Sequence, residues 1–280
     1  MLELLLAPLS YGFMQRGLLA SVIVGGVCAI IGCYVILRSL AFLGDALAHA
    51  VLPGVALAYL LGVNLTMGAL VAAIAIALGV GFFSRQEQLK EDTAIGILFA
   101  AALALGIVLI SRLRTYAVDL THILFGNVLG VSQSDLWLTA LLGITVVLIV
   151  RLAYKPFLLV AFDPVLAATL RLRVEFYRSL LLVLLAVTIV VALQTVGVGL
   201  AVAMLVTPSA TAQLVTRRLP TMMIVAAILG IAACVMGLYL SYYLNIASGA
   251  AAVLIATLFF VGAFLFAPRR GWLWQWRHFR

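Results

Sequence analysis

The sequence predicts an all-α membrane protein of about nine spanning helices, with its N-terminus outside and its C-terminus inside. Three observations predict it. The 280 residues are 66% hydrophobic and only 9% charged, with a mean hydropathy of +1.29; a soluble domain carries roughly 25% charged residues. Such a chain has too little polar surface to face water on all sides. Long stretches carry no charge, and a spanning helix needs roughly 20 mostly apolar residues. Finally, the basic residues fall unevenly between alternate loops.

The elements follow in order. The start, "MLELLLAPLSYGFMQ", has no basic leader region and carries Glu3, so 1–14 reads as a short outer interfacial segment rather than a cleaved signal. Residues 17–37 make the first span. Residues 46–84, uncharged apart from His49, hold the second and third, split at "LGVNLT" (61–66). The fourth is 93–111. The fifth, 136–150, follows "SQSDLW", where Ser134 or Asp135 caps the helix and Trp137 sits at the interface. Residues 179–216 hold the sixth and seventh, split at "TVGVG" (195–199), the weakest division; a broken or short helix there leaves eight spans. Residues 219–268 hold the last two, split at "LNIASG" (244–249). The cytoplasmic tail, 268–280, ends in "GWLWQWRHFR", whose tryptophans and arginines suit an interfacial anchor. Residues 1–280 read as a single transmembrane domain.

Orientation follows from the positive charges. The inner loops hold Arg38; Arg85 and Lys90; Arg151, Lys155, Arg171, Arg173 and Arg178; Arg217 and Arg218; and Arg269, Arg270, Arg277 and Arg280, which is 14 of the 17 basic residues. Only Arg16, Arg112 and Arg114 lie outside, and the reverse orientation inverts the positive-inside bias. The net charge of +8 therefore reports topology. It gives no support to nucleic-acid binding, because the charges are scattered over separate loops at one membrane face. Cys28, Cys33 and Cys234 all sit in apolar runs without a CxxC spacing and read as small buried hydrophobes.

The available chemistry is narrow. A Walker A loop needs a glycine-rich backbone and a lysine before Ser or Thr. The two lysines, Lys90 and Lys155, precede Glu91 and Pro156, so any ATP hydrolysis belongs to another polypeptide. HExxH and GxSxG are absent, which leaves a membrane hydrolase unsupported.

Eight of the nine acids fall in loops or at span ends; only Asp45 lies in a span, within "FLGDALAHAVLPG" (42–54). Asp45 and His49 are four apart, so on a helix they share one face with Cβ atoms about 5–6 Å apart. A carboxylate and an imidazole so placed are half of a divalent-metal site, and ionisable groups inside a membrane are functional by default. A second reading has Asp45 as the N-cap of the second span, with His49 donating to a backbone carbonyl. Position alone allows both. Gly44 and Pro53–Gly54 thin and kink the same helix and let neighbours approach.

Two other stretches stand out. Asp163–Pro164 is a helix start, Asp at the N-cap and Pro at the first position. The short inner helix that follows, 163–172, either docks a partner or lies on the lipid surface. "LQTVGVGLAVAMLVTPSATAQLV" (193–215) combines Gly197, Gly199 and Pro208 with Thr207, Ser209 and Thr211. Such an irregular span lines a path or an interface, or packs through small residues in the ordinary way.

Taken together, "GDALAHAVLPGVALA" (44–58), "KEDTAIGILF" (90–99), "ILFGNVLG" (123–130), "AFDPVLAATLRLRV" (161–174), "LQTVGVGLAVAMLVTPSATAQL" (193–214) and "LSYYLNIASGAAAVLIATLFFVGAFLFAPRRG" (240–271) resemble one family over nearly the whole chain: the membrane permeases of bacterial ABC importers for manganese, zinc or iron. Arg171 departs from it, standing where the family's short cytoplasmic helix usually carries Gly. The resemblance implies a homodimer in the bacterial plasma membrane with the fold of cobalamin and siderophore importers. It implies two ATPase subunits on the cytoplasmic face and a metal-loaded solute-binding protein on the outer face. No permanently bound cofactor is implied; the metal is cargo, Mn2+ before Zn2+ or Fe2+. By this likeness Asp45 and His49 are the metal site, and Asp163, Pro164, Leu166, Ala167 and Leu170 belong to the coupling helix. Gly44, Pro53, Thr207 and Pro208 fall to the path or an interface.

One copy offers a single carboxylate and a single imidazole. A two-fold axis doubles them to four ligands with a charge of −2, matched to M2+. A proton-coupled secondary transporter is expected to carry more than one intramembrane acid and an internal repeat, and a channel a selectivity ring; the sequence has neither pattern.

Overall fold

A computed structural model describes residues 8–85, 91–111 and 130–267, the side chains of 194–196 and 198–200 excepted. Glu3, Lys90, Arg112, Arg114, Asp119, most of "ILFGNVLG" and the tail 268–280 lie outside the described residues.

Twelve α-helices follow a single 3-10 turn (Pro8–Ser10) among the described residues, with no strand. They are α1 (Gly12–Leu37), α2 (Ala41–Ala50), α3 (Leu52–Leu61), α4 (Leu65–Phe83), α5 (Glu91–Ser111), α6 (Gln133–Leu152), α7 (Tyr154–Phe162), α8 (Pro164–Thr169), α9 (Val174–Val196), α10 (Val198–Val215), α11 (Leu219–Leu244) and α12 (Ser248–Phe266). Among the described residues eight runs are long and apolar enough to cross a membrane, with α2 and α3 counted as one, Ala41–Leu61. Helix α10, 18 residues long, is a further apolar helix; at 1.5 Å per residue it rises about 27 Å, close to the thickness of a bilayer core. The weak division expected at 195–199 is a break at one residue, Gly197, whose φ of 85° favours glycine.

Local chemistry sets most of the ends. Gly62 closes α3 in the left-handed conformation (φ 65°), and its N–H reaches the Ala58 and Tyr59 carbonyls. Two residues on, the Asn64 side chain opens α4 by accepting from Thr66 N at 2.8 Å and Met67 N at 3.3 Å. Before α6 the cap is Ser132, not Ser134 or Asp135. Its Oγ accepts from Asp135 N at 3.1 Å and donates to the Asp135 carboxylate at 2.5 Å, so Asp135 is the third helical residue turned back on the cap. Helix α1 starts five residues earlier than the charge-free run, taking Arg16 into its second turn. A long aliphatic stem lets a guanidinium near a span end reach the interface.

The helices form two compact units, interleaved along the chain: Met1–Ile36, His122–Gly143 and Val191–Arg280 in one, Leu37–Thr121 and Ile144–Val190 in the other. Small residues hold both together. In the first unit Gly25 of α1 faces Gly230 of α11, where an added Cβ would stand 2.6 Å from the Gly230 oxygen. Ser209 of α10 donates to the Ala29 carbonyl at 2.9 Å and to its own Leu205 carbonyl at 3.0 Å. Gly237 of α11 lies against Ala252 of α12. In the second unit Gly54 of α3 and Gly68 of α4 each press on the other's carbonyl. Gly106 of α5 lies against Leu52 and Pro53, and α5 packs on both α2 and α3. In lipid, where apolar surface gains little by leaving the solvent, such close approach is what binds helices. Cys28, Cys33 and Cys234 are buried free thiols.

Candidate functional site

The second span is built in two pieces. Val51 sits in a turn between α2 and α3, and Pro53 enters α3 at its first turn, where its missing N–H costs nothing. The upstream piece carries Asp45 and His49. Leu40 is the N-cap of α2 and makes no side-chain cap. Asp45 is the fifth helical residue, so the capping role is not its place. Its Oδ1 stands 3.8 Å from His49 Nε2, across one helical turn. That is too long for a hydrogen bond and leaves both atoms available to a third body.

The pair is open on one side. The Asp45 side chain is 51% exposed and that of His49 33% exposed, whereas Gly44, Ala46, Leu47, Ala48 and Ala50 around them are buried. The His49 ring meets Phe99 of α5, centroids 6.3 Å apart and tilted by 58°, which fixes one flank of the imidazole. Among the described residues no group of three or more His, Cys, Asp or Glu comes together. One copy of the chain therefore contributes two ligands from one helix, an incomplete shell for a first-row divalent ion. Gly44 and Pro53 belong to the packed side of this span, where neither offers a ligand atom other than backbone.

A charge cluster just before this span escapes sequence reading. Glu91, the first residue of α5, accepts from Arg178 Nη2 of α9 at 2.7 Å and lies 4.0 Å from Arg38 Nη2 in the link between α1 and α2. All three side chains are mostly buried, 13–22% exposed. Burial pushes the Arg38 guanidinium below its usual range, and the Glu91 carboxylate pulls the other way. Glu91 at the start of α5 also suits the helix dipole. The carboxylate thus ties together the starts of α5, of α9 and of the helix that bears Asp45.

The inner segment between α6 and α9 carries two helices where one is expected. Helix α7 opens with Pro156 in its first turn, and α8 packs on it. Asp163 caps α8 as the sequence predicts, its Oδ1 accepting from Leu166 N at 2.9 Å, with Pro164 at the first position. The helix stops at Thr169 rather than 172, because Arg171 turns left-handed (φ 59°) while its N–H and that of Leu172 bond back to the Ala168 and Ala167 carbonyls. Leu166 and Leu170 are exposed, at 45% and 57%, alongside Val165 at 74%. Ala167 is fully buried and anchors α8 instead of facing outward.

Thr207 and Pro208 lie in the other unit, on α10. Pro208 is buried within that helix, and the Thr207 carbonyl accepts from Thr211 Oγ1 at 2.7 Å. Proline leaves one carbonyl in the preceding turn without its helical partner, which gives α10 a local polar point.

The ABC 3 transport family profile matches residues 10–267. The manganese transport system membrane protein MntC of Halalkalibacterium halodurans is 50% identical over 270 residues, 96% of this chain and 92% of that protein. The chelated iron transport system membrane protein YfeD of Yersinia pestis is 42% identical, over 94% of this chain and 89% of its own length. Among solved structures, a chain of PsaBC from Streptococcus pneumoniae in complex with a Fab is similar at a TM-score of 0.87 and 39% identity, covering 98% of this chain and 99% of that one.

Proposed function

Because the chain belongs to the ABC 3 transport family, we propose that it is the membrane permease of an ATP-driven importer of a divalent transition metal, manganese before iron or zinc. It is a multi-pass protein of the bacterial plasma membrane. The manganese system membrane protein MntC among its relatives, at 50% identity, and the iron system at 42% support that order of cargo.

One observation carries the transport chemistry: a half-exposed carboxylate and imidazole 3.8 Å apart on one face of an otherwise apolar span. A second copy of the chain, related by a two-fold axis, doubles the pair to two carboxylates and two imidazoles. The doubled charge of −2 balances M2+ where an unpaired charge costs several kcal/mol. Two ligands per copy also make release simple, since separating the two helices halves the shell.

Energy comes from outside the chain. Two ATPase subunits dock at the cytoplasmic face, where the exposed side chains of α8 enter a cleft on each. A solute-binding protein delivers the metal to the outer face. The test is metal uptake by Asp45→Asn and His49→Ala permeases. Asp45→Asn keeps shape and removes charge, so uptake collapses while membrane insertion and assembly persist. His49→Ala removes one ligand per copy and alters metal preference as well as rate. Wild-type uptake in both would overturn the site. Co-purification of the permease with an ATPase subunit separates this reading from a secondary transporter or a channel.

A further inference from the structure

Helices α4 and α9 pack together at Gly81, which meets Ser179 and Leu182, and a crevice lies beside this contact. At the contact, Gly81 faces Ser179, whose Oγ would stand 3.1 Å from a Cβ added to the glycine. The crevice measures about 690 Å³, with Leu78, Phe82, Leu180 and Val183 along its floor and Arg85, Arg173 and Glu175 at its rim. Leu78 and Phe82 are 51% and 61% exposed, so the floor is open hydrocarbon rather than closed core. The rim is not neutral. Arg85 Nε pairs with Glu175 Oε2 at 3.3 Å, and Arg85 Nη2 donates to Ser179 Oγ at 3.3 Å. Arg173 has no acidic partner among the described residues. Among the described residues one guanidinium is therefore left over, and the described rim of Arg85, Arg173 and Glu175 carries a net charge of +1.

The two halves of the crevice ask for one molecule. A small aqueous anion satisfies Arg173 and leaves the apolar floor bare. An uncharged hydrocarbon fills the floor and leaves the guanidinium unpaired. Basic pockets between spanning helices at the cytoplasmic side hold anionic lipid headgroups, and guanidinium matches phosphate in charge and geometry. On the charge bias of the loops, Arg85 and Arg173 both lie at the cytoplasmic surface.

We propose that the crevice between α4 and α9 is a binding site for one anionic phospholipid of the cytoplasmic leaflet, its phosphate against Arg173 and Arg85 and an acyl chain along Leu78, Phe82, Leu180 and Val183. Glu175 does not repel it, because Arg85 already neutralises that carboxylate. A zwitterionic lipid brings no net charge to offset the +1 rim and binds more weakly.

The experiment is native mass spectrometry of the full-length permease, released from discs of phosphatidylglycerol and phosphatidylcholine with identical acyl chains. The wild type retains phosphatidylglycerol about fivefold better, the factor one basic side chain contributes near an anionic surface. Arg173→Gln abolishes the preference. Val183→Trp, which fills the floor and leaves the rim intact, abolishes retention of either lipid. Arg217→Gln, an exposed arginine of the other unit, changes nothing, and millimolar inorganic phosphate does not displace the lipid. Equal retention of the two lipids by the wild type, an unchanged preference in Arg173→Gln, retained lipid in Val183→Trp, or displacement by inorganic phosphate would each overturn the proposal. Because the measurement needs neither metal nor ATPase, its failure is separate from any failure of the transport reading.

Discussion

At the scale of single residues, cost is set by what is left behind when a partner goes. Glu91 stands between Arg38 and Arg178, all three mostly buried. Glu91→Gln removes the carboxylate that faces both guanidiniums, and breaking a buried pair from one side costs roughly 3–5 kcal/mol. Residual exposure of about a fifth places the expected loss at the lower end of that range. Thermal unfolding of the purified variant measures it, and an unchanged midpoint would mean that water screens the cluster. Arg171 is the opposite case, because here the native residue is the costly one. A left-handed conformation costs an ordinary L-residue about 1–2 kcal/mol, and glycine gives back part of that gain through its looser unfolded chain. Arg171→Gly should therefore stabilise the end of α8 by about 1 kcal/mol, visible as a higher midpoint in the same assay. The two kinds of residue differ in how far the sequence exposes them. Asp45 and His49 are legible because a lone acid in a charge-free run is conspicuous and a spacing of four fixes their relation. The Glu91 cluster is not, since its members are far apart in the chain and each looks like an ordinary loop charge until α5 and α9 are packed.

At the scale of elements, α8 tests how a short helix earns its place. Six residues supply little hydrogen bonding of their own, and nucleation is unfavourable. The Asp163 cap, the Pro164 start and the burial of Ala167 hold it in shape. Asp163→Ala removes the side-chain acceptor and costs this helix about 1 kcal/mol. ATP hydrolysis stimulated by the permease should fall, while metal binding at the proposed Asp45–His49 site, which needs nothing from α8, persists. Full stimulation in an Asp163→Ala, Pro164→Gly double variant would show that α8 does not couple. The cap and the start were legible because Asp–Pro has few other uses. The stop was not, because the αL position is occupied by arginine rather than by the glycine that advertises such a turn. Nor was α7, where "YKPFLLVAF" reads as an apolar loop until its proline is seen to lie in a first turn.

At the scale of the whole molecule, topology turns on α10. The sequence divides 179–216 at glycines, and the structure breaks the helix at Gly197. If α10 crosses, the described helices pass nine times, and every inner loop keeps its arginines. If it does not, Arg217 and Arg218 move to the outer face with no acid nearby in sequence to offset them, against the positive-inside bias. A length of about 27 Å suffices for crossing a core of about 30 Å when flanking residues reach outward. Cysteine labelling decides it. Asn64 is a poor site, because replacing it removes the α4 cap; Val63, 55% exposed beside it, serves instead. Single cysteines at Val63, Arg217 and Ile246, in a background without the three native cysteines, should give one pattern. An impermeant maleimide added outside intact cells modifies Val63→Cys and Ile246→Cys at once, and Arg217→Cys only after the membrane is opened. Labelling of Val63→Cys and Arg217→Cys from the same side would remove α10 from the list of spans and return the count to eight.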